Sequence, residues 1–166
     1  MNLFILSNCP NESAELAVDR HVVKIILEAC QVMCIPFHLQ GIAAPYKISH
    51  KNHPVSIWVR QSSENFNWTI KYCEGLLSEY TKRYKKIHKS SKVLDWIKER
   101  KNMLIFPSTG FTPFAQAMPD DCKHSCAITA YRNYYLKYKQ HLFAWKTQVP
   151  DFVMASGWQK LDNSIK

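Results

Sequence analysis

Glycine is scarce in this chain, with 4 in 166 residues, and the scarcity excludes two large classes. A phosphate-cradling glycine-rich loop needs several in close succession, and a sheet with many tight hairpins needs them at its turns. Acids are also few, 13 against 22 Lys and Arg, which leaves a formal charge of +9. No apolar run reaches the ~18 residues that a membrane span requires. Walker loop, dinucleotide fingerprint, nucleophile elbow and metalloprotease helix are all missing. The start, Met-Asn-Leu-Phe-Ile-Leu-Ser, has no basic region and too short an apolar run for a signal peptide, so the expectation is an intracellular protein with its 6 cysteines reduced.

What is present points to an all-α fold: a single helical domain spanning residues 1–166, a bundle of three to five helices with a long ordered loop and a partly docked tail from about 150. Residues 3–6 are a short strand or an extended arm tucked into the core. A first helix is expected over residues 13–33, capped by Asn11 or Ser13 and ended by Pro36. It reads as almost wholly buried, Val23 and Leu27 included, yet Arg20, Lys24, Glu28 and Gln31 form a narrow polar stripe with His21 at its edge. Charges on a core helix are either paired internally or turned toward a cleft, because an unpaired buried charge is too costly.

A second helix is expected from Pro54 to about His88. One of its faces reads Gln61, Asn65, Trp68, Tyr72, Gly75, Glu79 and Arg83; another carries Ile57, Ile70, Cys73, Leu76, Leu77, Tyr80 and Tyr84 and reads as core. The first has the groups that line nucleobase and sugar pockets, or else is a solvated face with half-buried aromatics. A short helix over 91–101, a long loop over 102–121 and a last helix from about 119 to 145 follow, then a tail docked by Phe152 and Trp158 before it frays. The loop, with Gln116 and Asp120, is available to cover a cleft.

Charge is unevenly placed. Residues 1–46 hold two bases and four acids, whereas 47–101 hold thirteen bases and five acids. Residues 81–92 hold Lys82, Arg83, Lys85, Lys86, Lys89 and Lys92 with no acid. Such an excess suits a polyanion, DNA or a nucleotide, because counterions are released on phosphate contact. The alternative is a solvated face that serves solubility. Neither His50-x-x-His53 nor Cys122, His124 and Cys126 has a convincing zinc spacing, so neither a metal nor a cofactor is expected.

The stretch Asp19-Arg-His21-Val-Val-Lys-Ile-Ile-Leu-Glu28 resembles a helix of the pyrimidine-dimer DNA glycosylases of the phage endonuclease V type. There an Asp-x-His leads, seven positions after the histidine, to the catalytic glutamate. His53-Pro-Val-Ser-Ile-Trp-Val-Arg60 is a second, looser likeness, again leading into a long helix. Over nearly its whole length the chain more closely resembles a group of mostly phage-encoded proteins without assigned activity. They share the patterns Asp-x-His-Val-Val-Lys, His-Lys-Asn-His-Pro, Gln-Ala-Met-Pro-Asp and Ala-Tyr-Arg-x-Tyr-Tyr.

The glycosylase resemblance implies a compact all-α domain in which Glu28 works beside the sugar of an extruded nucleotide, with Asp19, His21 and Lys24 as its companions. Position and chemistry then suggest Lys24, Arg60 or Arg83 on the flanking phosphates and Trp68 or Tyr72 stacked on a base, with Arg20, His50, His53, Lys85, Lys86, Gln116, Tyr131 and Arg132 as further candidate nucleic-acid contacts. The family's bifunctional members attack with the amino group of a small residue exposed by loss of Met1. Here Asn2 is bulky, and Leu27 stands where the family has an arginine. These departures imply a monofunctional glycosylase. Two further readings stand beside it: a nucleotide- or nucleic-acid-binding phage accessory protein without catalysis, and a helical structural protein whose stripe is an internal ion-pair network.

Overall fold

The computed structural model describes residues 2–159, and the fraying expected at the end of the tail falls on 160–166, outside them. Among the described residues there are seven α-helices and no strand: α1 (Pro10–Glu15), α2 (Asp19–Leu39), α3 (Pro54–Gln61), α4 (Ser63–Tyr84), α5 (Ser91–Arg100), α6 (Ala127–Tyr138) and α7 (Asp151–Met154). The all-α expectation is met.

Residues 2–6 form an arm without regular secondary structure that runs through the core, with Leu3 and Leu6 fully buried. A segment without a strand neighbour needs side chains to satisfy its main chain. The Tyr72 hydroxyl donates to the Leu3 carbonyl at 2.6 Å, the Leu6 N–H to Ser13 Oγ at 2.9 Å, and Arg132 Nε to the Leu6 carbonyl at 3.1 Å. Ser13 therefore anchors the arm and caps no helix; α1 starts instead at Pro10, whose missing N–H costs nothing at that position.

The expected first helix is two helices. Residues 16–18 break it without any glycine or proline, because Arg83 reaches across from α4 and donates to the Ala17 carbonyl at 2.7 Å and the Glu15 carbonyl at 2.8 Å. Pro36 lies inside α2, which continues to Leu39 and ends beside Gly41, held at φ +77°. By length and composition α2 is apolar enough to cross a membrane, which corrects the reading of the runs; 61% of that window is buried within this molecule. Val23 and Leu27 are exposed, so α2 is not wholly enclosed.

The expected second helix is also interrupted. Ser62 is extended and its hydroxyl accepts the Asn65 N–H at 3.1 Å, which starts α4 afresh. The mixed polar face of α4 is its docking face, with Asn65, Trp68, Tyr72, Glu79 and Arg83 all buried. α1 lies so close against it that a Cβ on Gly75 would stand 2.9 Å from Ala14 Cβ. Asn65 staples the loop over 104–119, accepting the Thr112 N–H at 3.0 Å and donating to the Thr112 hydroxyl at 2.7 Å. The last helix is shorter than its pattern suggests. α6 stops at Tyr138, and Phe143, Trp145 and Trp158 then pack ring against ring. All six cysteines are free thiols.

Candidate active site

A cleft of about 900 Å³ opens along the exposed side of α2. The arm contributes Asn2 and Phe4, α2 contributes Asp19, Arg20, His21, Lys24 and Glu28, and the far wall comes from Tyr84, Tyr134 and the segment after α6. Helical spacing puts Arg20, Lys24 and Glu28 one turn apart on one side, so these three residues of the stripe read from the sequence line the cleft, and Gln31 does not.

Glu28 is 9% exposed and both its oxygens are engaged. Oε2 accepts the main-chain N–H of Asn2 at 3.1 Å, and Oε1 lies 3.3 Å from Lys24 Nζ. The Asn2 side chain is itself fixed, donating to the Ala117 carbonyl at 2.6 Å and accepting the Phe4 N–H at 3.3 Å. Phe4 stands at φ +51°, an uncommon conformation for a residue with a side chain, and stacks on His21 with ring centres 4.2 Å apart.

His21 is buried, and burial together with the charge of Lys139 brings its pKa down to about 3. Its Nδ1 lies 2.6 Å from the Tyr135 hydroxyl. His21 therefore lines the cleft as a neutral imidazole.

His53 caps α3, its Nδ1 accepting the Val55 N–H at 3.2 Å. Burial lowers its pKa, while the carboxylate of Glu28 acts on it in the opposite sense, which places it within electrostatic reach of the site. His50, at φ +52°, bonds the Ser49 hydroxyl nearby. Among the described residues no group of three or more His, Cys, Asp and Glu side chains is gathered to hold a metal ion.

Several residues expected to touch nucleic acid lie elsewhere. Trp68 is buried, stacks on Tyr72 at 5.2 Å and donates to the Asn8 carbonyl; Tyr72 and Tyr131 are fully enclosed. None of the three offers a face to a base. Burial raises the pKa of the Tyr131 phenol, whose hydroxyl donates to the Ala115 carbonyl at 2.7 Å. Arg83 cannot hold a phosphate, because its guanidinium is buried between Asp19 at 3.1 Å and Glu79 at 2.8 Å. These corrections share one cause: large polar groups on a helix face satisfy the main chain of an arm and a loop that the sequence pattern does not reveal.

Gln116 covers no cleft; it forms a two-way tie with the His124 main chain. Arg132 holds the Leu6 carbonyl and lies over the Phe152 ring. Arg60 donates to the Lys51 carbonyl at 2.5 Å and borders a second groove with Ile57 and Ile105, and burial lowers its pKa. Lys85 and Lys86 are exposed on the turn after α4. Sequence reasoning missed Lys139, His141 and Phe143 as cleft groups, since they stand a hundred residues or more from α2 and carry no motif.

Comparison with curated proteins and with solved structures finds no match. The family model described as pyrimidine dimer DNA glycosylase matches residues 1–92, a segment that holds the arm, α1 to α4, Glu28 and His21. With more than half of its length under that match, the chain belongs to the pyrimidine dimer DNA glycosylase family.

Proposed function

We propose that this protein is a monofunctional DNA N-glycosylase that removes a damaged or modified base, with Glu28 as its catalytic carboxylate. The observation that carries this reading is the position of Glu28: shielded, anchored by the Asn2 N–H, and set in the wall of a cleft rich in cations. A nucleotide turned out of the duplex brings its sugar to that wall. As the bond from C1′ to the base breaks, its electron pair leaves with the base and the sugar gains positive charge. The Glu28 carboxylate stabilises that charge and receives a proton from the incoming water. The neutral imidazole of His21, which lines the same cleft, orients the water. Lys24, Arg20 and Lys139 meet the flanking phosphates.

The Asn2 nitrogen that touches Glu28 is a peptide amide in this sequence, and an amide is no nucleophile; that supports a hydrolytic route. A second reading rests on Lys24, whose amine is 3.3 Å from Glu28 and would allow a Schiff-base lyase step. Borohydride trapping with wild type and Lys24→Ala separates the two.

The decisive experiment incubates wild type and Glu28→Gln with DNAs carrying ultraviolet photoproducts or a panel of modified bases and follows base release by mass spectrometry. The variant is expected to lose turnover and keep its affinity for DNA. A wild type that binds DNA but releases nothing would make it a binding protein instead. Affinity is expected to fall steeply with salt, given the excess of bases in 47–101.

A further inference from the structure

The turn after α4 carries an isoleucine that the core does not take up. Ile87 is 80% exposed, and Lys85, Lys86 and Lys89 around it are exposed with no acid between them. A single exposed isoleucine is ordinary on any surface. This one stands on a turn fastened at three points. Lys85 is held at φ +56° with its N–H on the Thr81 carbonyl at 2.9 Å. The Ser90 N–H donates to His88 Nδ1 at 3.1 Å, and the His88 ring also reaches the Val23 carbonyl on α2.

Val23 and Tyr84 both line the Glu28 cleft, so the turn is tied to its rim. Apolar side chains are exposed on α2 as well, where Val23 is 39% and Leu27 38% exposed beside Arg20 and Lys24. An apolar tip ringed by cations fits a partner with an anionic rim and an apolar interior. Duplex DNA has that layout, with phosphates outside and stacked bases within.

We propose that Ile87 is a wedge that enters the base stack of duplex DNA beside the cleft, with Lys85, Lys86 and Lys89 on the flanking phosphates. The inference rests on the glycosylase reading and adds to it the side chain that opens the duplex. Turning a nucleotide out leaves a gap, and an apolar side chain filling it opposes restacking.

The test uses the full chain and a duplex carrying 2-aminopurine, whose fluorescence rises when it unstacks, with affinity read by anisotropy. Wild type is expected to raise the fluorescence at saturation. Ile87→Ala is expected to bind within about threefold of wild type yet lose most of the rise, and Ile87→Leu to keep it. Because Ile87 is so exposed, both variants should melt at the wild-type temperature. The triple variant Lys85→Ala, Lys86→Ala, Lys89→Ala should lower the slope of log affinity against log salt by about 3. A wild-type rise in Ile87→Ala, no rise in wild type, an unchanged salt slope or no binding to duplex would each overturn the proposal. Failure of the glycosylase reading looks different: no base is released while the rise persists and still depends on residue 87.

Discussion

Two carboxylate–cation pairs on α2 differ in how firmly the cation is enclosed. At its start Asp19 meets Arg83, whose side chain is 0% exposed and whose remaining donors go to Glu79 and to the Glu15 and Ala17 carbonyls. Further along Glu28 meets Lys24, whose side chain is 71% exposed. In the first pair the cation is enclosed and its donors are occupied, so its removal leaves buried charges and carbonyls unmet. In the second the cation can swing to a phosphate while the carboxylate stays fixed by the Asn2 N–H. The first is a structural knot, and the second is the pair that the proposed glycosylase chemistry uses.

The sharpest way to break that contrast is to neutralise one member of each pair. Glu28→Gln is expected to lower base release about 10⁴-fold while the melting temperature stays near that of wild type. Arg83→Ala should do the reverse, costing about 3–5 kcal/mol of stability in urea unfolding, with activity lost only as the fold is lost. Equal damage to fold and turnover by both would erase the distinction.

A smaller effect comes from His21. Its folded pKa of about 3 lies below the 6.5 of a free imidazole, so between these values the unfolded chain binds a proton that the folded one does not. His21's contribution is therefore complete above pH 6.5 and is lost as pH falls through that window, by up to about 1.4 kcal/mol per unit. Urea midpoints measured from pH 7 to 4 should decline less steeply in His21→Gln than in wild type. The smallest effect is expected of Lys24→Ala: well under about 1 kcal/mol in stability, as for exposed pairs generally, with a salt slope of DNA binding lower by about 1.

The enclosed pair and the open one were not equally legible in the residues. Glu28, Lys24 and His21 share a side of α2 by helical spacing alone, and the charge excess of 47–101 announces a polyanionic partner. The α4 stripe was legible as a stripe, but its destination was not. Trp68, Tyr72 and Arg83 have the chemistry of ligand-binding groups and are occupied by the carbonyls of residues 8, 3, 15 and 17. No local signal marks this, because the partners lie about sixty residues or more away and are main-chain atoms common to every residue.

By itself the sequence determined the helical class, the polar line on α2 and the sign of the partner's charge, since periodicity and charge are properties of neighbours along the chain. Only the tertiary structure decided which polar face meets water. An arm without a strand partner must draw its hydrogen bonds from side chains, and it took those of the face that looked most like a site. The side of α2 left uncovered by that arrangement became the cleft.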